Sequence, residues 1–414
     1  MPATLVEFYD KSPLENIVSS LALKPGKVIF LGSNRKLMER QVPSYLSLLN
    51  EKGIYPEVEC RAVPKNNLAE IQKALTDVVE ENPVCVVDLT GGDELSLVAV
   101  GSVAGALKEK NISFHRVNIS TRKVVEFFET DFDGDIDEPI LSVAENIALY
   151  GGRIVYDCDK PDSTGLWDWN DGFIRDVNKM WEICKINSSA WNAQFKQLES
   201  IITGNTHVFC HIGHQDMYGE SIRLWNKYVF HSLADAKLIK NFKYDRETFE
   251  FDIKNEQISR VLAKAGTILE LKTYLTAKSL LSKKEPYFND VMTGVYIDWD
   301  GVIHQTGDAD KDTENEIDVI CMKGLLPLFI SCKNGAVDES ELYKLDAVAE
   351  QFGGEYAKKA LITNGLTVYS EREKQQRSPE YFRQRAKDMG IILIENADSL
   401  DDKEFSAKLK EILC

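Results

Sequence analysis

Two carboxylates and a lysine fall within one short segment, NEIDVICMKGLLPLFISCKNG, which begins at Asn315. The segment predicts two neighbouring strands, one carrying Glu316 and Asp318 and the other carrying Ser331 and Lys333. Strand residues two apart share a face, and the remaining positions are apolar or small, as in a sheet buried on both faces. Charged groups there need partners, which a divalent cation and a phosphate would supply. The alternative is a salt bridge between Lys333 and Asp318 without chemistry.

The composition is that of a globular protein with more than one domain. The chain has 414 residues, 43% of them hydrophobic and 28% charged, and its length predicts two or three domains. No apolar run reaches the roughly 18 residues that span a bilayer, and the N-terminus lacks a signal-peptide pattern. Eight scattered cysteines favour reduced thiols, so we expect a cytoplasmic protein without a membrane partner. The net charge of -17 argues against non-specific coating of nucleic acid.

Strands and helices alternate over residues 27 to 128. This order predicts a parallel, Rossmann-like α/β sheet, and ligands of such sheets bind at the carboxyl ends of the strands. Two loops at that edge are therefore candidate binding loops. Their residues are Gly32, Ser33, Asn34, Arg35 and Lys36 in the first, and Thr90, Gly91, Gly92, Asp93 and Glu94 in the second.

The two loops carry groups that suit a phosphate or a base. The first offers backbone N–H groups, a hydroxyl, an amide and two cations, and the second opens a helix whose free N–H groups and dipole face the loop. Glycine allows the backbone to approach a ligand closely. Neither loop matches GxxxxGK[ST] or GxGxxG, and ordinary tight turns remain the alternative.

The helix predicted after the second loop, LSLVAVGSVAGAL from Leu95, is apolar on almost every side and rich in small residues. Such a helix is expected to be buried on more than one side. Either a domain interior or a two-fold dimer interface would account for it.

Three segments carry a resemblance to one protein family. The segment VDLTGGDELSLVAV, together with FLGSN, resembles the CARF domain, the cyclic-oligoadenylate sensor of type III CRISPR defence. Residues 143 to 153, VAENIALYGGR, resemble the end of that domain in CARF proteins that carry a DUF1887-type nuclease. NEIDVICMKGLLPLFISCKNG resembles the PD-(D/E)xK core of that nuclease. The segments follow the order of the CARF-fused ancillary nucleases that cyclic tetra-adenylate activates.

The resemblance implies an architecture and an activator. It implies a Rossmann-like CARF domain over residues 1–155, a connector over 156–256 that is winged-helix-like, and a restriction-endonuclease-like PD-(D/E)xK domain over 257–414. It also implies a homodimer with cyclic tetra-adenylate at its two-fold axis, held by the two loops. The implied function is activated cleavage of single-stranded RNA or DNA, with nicking of duplex DNA as a further option, in antiviral defence.

The resemblance also implies roles for individual residues. Asp318 and Glu270, the latter on a helix predicted over residues 257–281, would hold Mn²⁺ or Mg²⁺ with the backbone carbonyl of Cys332. Lys333 would orient the attacking water. Ser331 stands where the family has an acid, and Glu316 on the face of Asp318 could restore a carboxylate.

Basic residues near the C-terminus could bind the substrate, or they could form an ordinary solvated face. They are Arg372, Lys374, Arg377, Arg383, Arg385 and Lys387.

Two other functions of the protein are alternatives to an activated nuclease. The serine at position 331 would suit a cyclic-oligoadenylate-binding regulator with an inactive nuclease domain. A metal-independent RNase is disfavoured, because none of the six histidines follows an arginine by five to seven residues.

Overall fold

The computed structural model describes residues 4–108, 112–127, 138–156, 164–281, 284–302, 314–370 and 375–413. The chain divides into two compact units, Met1–Arg153 with Gly324–Leu326, and Ile154–Lys323 with Pro327–Cys414. Among the described residues, no helix is both long enough and apolar enough to cross a bilayer.

The first unit is a six-stranded sheet with helices on both faces. Its elements are β1 Thr4–Phe8, α1 Pro13–Leu23, β2 Lys27–Gly32, α2 Arg35–Glu51, β3 Glu57–Ala62, α3 Leu68–Glu81, β4 Cys85–Asp88, α4 Glu94–Lys108, β5 Ser113–Asn118, β6 Lys123–Glu126 and α5 Val143–Leu149. The strand order is β3-β2-β1-β4-β5-β6, and all neighbours are parallel except β5 and β6. The predicted Rossmann-like alternation is confirmed, whereas β1 and α1 were not predicted.

Strand alternation decides which residues enter the core of this unit. Val6 and Phe8 of β1 join one buried apolar cluster with Ile29, Val87 and side chains of α3 and α4. The intervening strand positions point to the opposite face, where α1 and α2 lie. Glu7 and Asp88 are therefore buried on that face, and they are direct partners in the parallel register of β1 and β4.

Helix α4 differs from its prediction. Leu97 and Val98 are 41% and 56% exposed, and a Cβ added at Gly101 or Gly105 would have no heavy atom within 4 Å. One face of the helix is packed on α3 and the sheet, and the other is open in the single chain. The expectation of burial on more than one side is thus not met within the first unit, because no described element of that unit covers the second face.

The second unit begins with a small helical region carrying a three-stranded antiparallel sheet in the order β8-β10-β9. Its elements, after β7 Arg153–Ile154, are α6 Asp171–Ile186, α7 Ser188–Ile202, β8 His207–His211, α8 Lys227–Asp235, β9 Ile239–Tyr244 and β10 Thr248–Ile253. Aromatic side chains fill its core, including Trp181, Trp191, Phe195 and Phe230, each at most 2% exposed.

The remainder of the second unit is built on a sheet in the order β18-β15-β13-β12-β11-β7. Its elements are α9 Glu256–Ala263, α10 Thr267–Lys278, β11 Asp290–Asp298, β12 Glu314–Lys323, β13 Leu326–Lys333, β14 Ala336–Val337, α11 Ser340–Gly353, β15 Lys358–Thr363, β16 Thr367–Ser370, β17 Gln375–Arg377, α12 Pro379–Asp388, β18 Ile391–Ile394 and α13 Asp402–Glu411. The predicted pair of strands carrying the acids and the lysine is present as β12 and β13. The predicted boundary at residue 256 lies inside this compact unit and stays a prediction.

One predicted helix is wrong. The segment 257–281 forms two helices, α9 and α10, which are interrupted at residues 264 to 266. The carbonyl oxygen of Ala265 accepts hydrogen bonds from Trp191 Nε1 at 3.2 Å and from Asn334 Nδ2 at 3.0 Å. In a continuous helix the Ala265 carbonyl would accept a hydrogen bond from a backbone N–H of the next turn. Here side chains that are distant in sequence provide the donors instead.

Candidate active site and candidate ligand loops

Strands β12 and β13 lie side by side and bring four of the five predicted catalytic residues together, whereas Glu270 is not among the residues that line their cavity. Glu316 and Asp318 on β12, and Ser331 and Lys333 on β13, line one cavity of about 370 Å³. Helix α11 forms the opposite wall of this cavity. Cys332 points away from it, toward α10, and its Sγ lies 3.4 Å from Thr273 Oγ1. This arrangement follows from the two-residue periodicity of the strands.

Asp318 is fixed by the neighbouring strand. Its Oδ2 accepts hydrogen bonds from the backbone N–H of Cys332 at 2.5 Å and from Ser331 Oγ at 3.3 Å. Burial raises the pKa of Asp318 to about 6, against the opposing effects of Lys333 and of these hydrogen bonds. Ser331 thus supports the aspartate directly.

Glu270 lies in the first turn of α10 and is half-buried. Burial raises its pKa well above the usual range, and the charges of Asp318 and Glu316 act in the same direction. The carboxylates of Glu270, Glu316 and Asp318 therefore repel one another across this part of the unit. A divalent cation would relieve that repulsion, and carboxylate oxygens are the donors that Mg²⁺ and Mn²⁺ prefer. The donor chemistry fits such an ion, although no group of three or more His, Cys, Asp or Glu side chains converges at metal-binding distance in the described part of the chain.

Sequence reasoning missed Glu341, which lies in the first turn of α11 and lines the same cavity. Its Oε2 is 2.8 Å from Lys333 Nζ, and its Oε1 is 2.8 Å from Lys344 Nζ. The predicted alternative partner of Lys333 was Asp318, whereas the ion pair that forms is with Glu341. No sequence pattern distinguishes Glu341, because acidic residues are common in the first turn of any helix.

A second missed feature anchors the end of β13. Asn334 directly follows Lys333 and is 6% exposed. Its backbone oxygen accepts a hydrogen bond from Asn192 Nδ2 of α7, and its Oδ1 accepts one from Asn364 Nδ2 at 2.5 Å. With the bond from Asn334 to Ala265, these contacts connect α7, the α9–α10 break and the end of the lysine-bearing strand.

In the first unit, the two candidate ligand loops follow β2 and β4, which flank β1 on either side. Their parallel direction brings both loops to one edge of the sheet, as predicted. Asn34 caps α2 by accepting a hydrogen bond from the N–H of Leu37, and Arg35 pairs with Glu39 at 2.7 Å on the surface. Asp93 Oδ1 accepts hydrogen bonds from the N–H and hydroxyl of Ser96 at the start of α4.

Gly92 is required by its backbone conformation and close packing, and Gly91 lies in a tightly packed part of the same loop. Gly92 has φ +100°, and a Cβ there would lie 2.7 Å from Phe8 Cβ. At Gly91 a Cβ would lie 3.0 Å from Asp10 Cβ. Asp10, which sequence analysis did not single out, also accepts a hydrogen bond from the N–H of Gly92 at 3.1 Å. The end of β1 therefore sets the shape of this loop.

The buried carboxyl groups of Glu7 and Asp88 lie next to the same loop, and Asp88 is hydrogen-bonded to it. Asp88 Oδ1 accepts a hydrogen bond from Thr90 Oγ1 at 2.7 Å, and Thr90 Oγ1 accepts one from the N–H of Val117 at 2.8 Å. Burial raises the pKa of Asp88 to about 6. Burial and the charge of Asp88 raise the pKa of Glu7 well above its usual range.

The predicted basic set is only partly within the described residues. Arg372 and Lys374 lie outside them, and only the backbone of Arg377 is described. Arg383 makes two 2.7 Å contacts with the carboxylate of Glu395, and Arg385 hydrogen-bonds to the hydroxyl of Tyr343. Lys387 is exposed. Substrate binding by this set stays a prediction.

The chain has the architecture of proteins in which a Rossmann-like sheet precedes a nuclease-like sheet, and solved structures share it over nearly the whole length. Protein VC1899 from Vibrio cholerae superposes with a TM-score of 0.70 at 17% identity, covering 99% of this chain and 97% of that one. Can2 from Sulfobacillus thermosulfidooxidans, solved in complex with cyclic tetra-adenylate, superposes with a TM-score of 0.66 at 16% identity, covering 99% and 97%.

At these identities the likeness establishes the fold. The predicted fold class, a Rossmann-like CARF domain followed by a restriction-endonuclease-like domain, is confirmed, and so is the resemblance to CARF-domain nucleases at the level of the fold. No protein-family model and no curated protein sequence matches the chain.

Proposed function

We propose that this protein is a metal-dependent nuclease of type III CRISPR defence that cyclic tetra-adenylate activates. The observation that carries the proposal is the cavity where Glu316, Asp318 and Lys333 meet on two neighbouring strands. The carboxylates of Glu270, Glu316 and Asp318 repel one another, and a divalent cation would relieve this repulsion. The ammonium of Lys333 suits the phosphate of a nucleic acid.

Asp318 and Glu270, with the backbone carbonyl of Cys332, would hold Mn²⁺ or Mg²⁺, which supplies an activated water and offsets negative charge on the phosphate. Lys333 would bind the phosphate and stabilise the charge that develops on it. Ser331 supports Asp318 through its hydrogen bond, and Glu316 adds a carboxylate to the cavity. Metal-activated water needs no 2′-hydroxyl, so single-stranded RNA and single-stranded DNA are both proposed substrates.

The activator is proposed to bind where the loops after β2 and β4 meet. The support is their common edge of the sheet, the tight glycine backbone and the fold shared with Can2, which was solved with cyclic tetra-adenylate. The open face of α4 begins directly after the second loop, and it suits close packing against the same helix of a second chain. A homodimer would place both copies of the loops around one two-fold symmetric ring.

The test is cleavage of labelled single-stranded RNA, single-stranded DNA and duplex DNA, with a panel of cyclic oligoadenylates and Mn²⁺. Cleavage that requires cyclic tetra-adenylate and stops on addition of EDTA supports the proposal. Cleavage that continues in EDTA would indicate a metal-independent enzyme. Activator binding without cleavage of any strand would instead indicate a regulator with an inactive nuclease domain.

A further inference from the structure

Lys333 is the only cation that β13 contributes to the cavity described above. Its ammonium group pairs with Glu341, an acid on the opposite wall of that cavity. The lysine stem has four rotatable bonds, so the charge does not stay in one place without a partner. Glu341 provides that partner at 2.8 Å from the opposite wall, on a helix rather than on the sheet. The side chains are 31% and 19% exposed, so the pair is partly shielded from water.

The second oxygen of Glu341 distinguishes it from the other acids of the cavity. It lies 2.8 Å from Lys344, one turn further along α11. Each carboxylate oxygen of Glu341 therefore faces a lysine, whereas Asp318 is bound by Ser331 and the N–H of Cys332. Glu341 is placed to orient a cation, and the acids of β12 remain available to a metal ion.

We propose that Glu341 is a positioning residue that holds the Lys333 ammonium over the cavity, facing the acids of β12. The role rests on the nuclease function proposed above. The strand lacks an acid at position 331, so the fixed carboxylate beside the lysine comes from α11. Small displacements of a catalytic group lower the reaction rate strongly, while substrate binding elsewhere is unaffected. The expected signature is therefore a loss of kcat without a loss of metal affinity.

The experiment compares Glu341→Gln and Glu341→Asp with a control, Glu350→Gln, which changes an exposed acid of the same helix. All are made in the full chain and checked by thermal melting. Cleavage of a labelled single strand at a series of substrate concentrations gives kcat and KM, and titration of Mn²⁺ followed by electron paramagnetic resonance gives metal affinity. We expect Glu341→Gln to lower kcat by about 10- to 100-fold, with KM and Mn²⁺ affinity within about twofold of the parent. Glu341→Asp should recover part of the rate, and Glu350→Gln should match the parent.

Given an active parent protein, three outcomes would overturn this role. An unchanged kcat in Glu341→Gln would show that Lys333 needs no such partner. A tenfold or greater loss of Mn²⁺ affinity would make Glu341 a metal ligand. A further loss of rate from Glu341→Gln in a Lys333→Ala background would show that it acts independently of the lysine. If the parent protein cuts no strand under any condition, the proposed nuclease function fails, and this role fails with it.

Discussion

The buried carboxyl of Asp88 makes the stability of the protein depend on pH. Burial raises the pKa of Asp88 from its usual 3.8 to about 6 in the folded protein. A difference of about 2 pKa units corresponds to about 3 kcal/mol of unfolding free energy. The folded state binds the proton more tightly than the unfolded state. The contribution is therefore fully present below pH 3.8, declines as the pH rises to about 6, and is absent above that.

Asp88→Asn should remove this dependence. The amide keeps an oxygen that can accept the 2.7 Å hydrogen bond from Thr90. Its NH2 group cannot accept the other hydrogen bonds that the carboxylate receives, among them those from the backbone N–H groups of Leu89 and Thr90, so the gain in stability expected from removing the charge is an upper bound. Removing the charge also relieves the repulsion that raises the pKa of Glu7. The variant is expected to be more stable than the parent by up to about 3 kcal/mol at pH 8, with the difference shrinking as the pH falls toward 4.

Urea unfolding at a series of pH values between 4.5 and 8 measures this difference, assuming the roughly linear dependence of unfolding free energy on denaturant. The control is Asp77→Asn, which neutralises an exposed aspartate on α3 of the same unit. A gain from Asp88→Asn that stays constant across the pH range would refute the reasoning, since it would not come from titration. A loss of stability at pH 8 would show that the ionised carboxylate is favourable where it lies.

Three further predictions concern the two proposed sites. Asp318→Ala should abolish cleavage and leave activator affinity unchanged, because the residue lies in the second unit. A cleavage assay and calorimetry on the same preparation measure the activity and the affinity, and full cleavage activity would contradict the assignment of Asp318 to the active site. Ser331→Ala should reduce the cleavage rate about five- to tenfold, because it removes one hydrogen bond worth about 1 kcal/mol. Glu270→Ala should reduce the rate far more. A larger loss in Ser331→Ala than in Glu270→Ala would contradict the proposed role of Glu270 as a metal ligand. Gly91→Glu should eliminate activator binding, because it places a long, negatively charged side chain in the proposed binding loop, where even its Cβ would lie 3.0 Å from Asp10 Cβ. In calorimetry the parent should bind one activator per two chains, and one activator per chain would contradict the proposed dimer.

Local patterns predicted most of the strands and the residues that point into the cavity. Strand β4 is a short run that is buried throughout, and β13 is mostly apolar and mostly buried. In any strand, including β12, the two-residue periodicity decides which side chains share a face, whatever the neighbouring elements are. For the same reason Glu316, Asp318, Ser331 and Lys333 do line one cavity, as expected. The chemistry assigned to them stays a prediction.

Features that depend on distant contacts could not be predicted in this way. The segment from Gln257 has helical composition throughout, and its interruption reflects hydrogen bonds to Ala265 from Trp191 and Asn334. Glu341 looks like any acid at the start of a helix, and only the packing of α11 against β13 brings it to Lys333. Helix α4 was expected to be buried on more than one side because its sequence shows only that most of its faces are apolar, and not which of them another element covers.

The contact between Asn192 and the backbone of Asn334 has a consequence for which parts of this chain can be exchanged as modules. Helix α7 provides donors to the carbonyl oxygens of Asn334 and Ala265, one beside the proposed catalytic lysine and one beside the helix that carries Glu270. A piece cut at residue 256 would lose both donors. The Ala265 carbonyl would keep its hydrogen bond from Asn334 Nδ2, whereas the Asn334 carbonyl would lose its bond from Asn192, and a buried polar atom left without a partner is unfavourable by about 1–3 kcal/mol. The smallest transferable catalytic piece therefore includes the aromatic-rich helices that precede it. In engineering or in recombination between genes, a different first unit would have to be joined ahead of those helices.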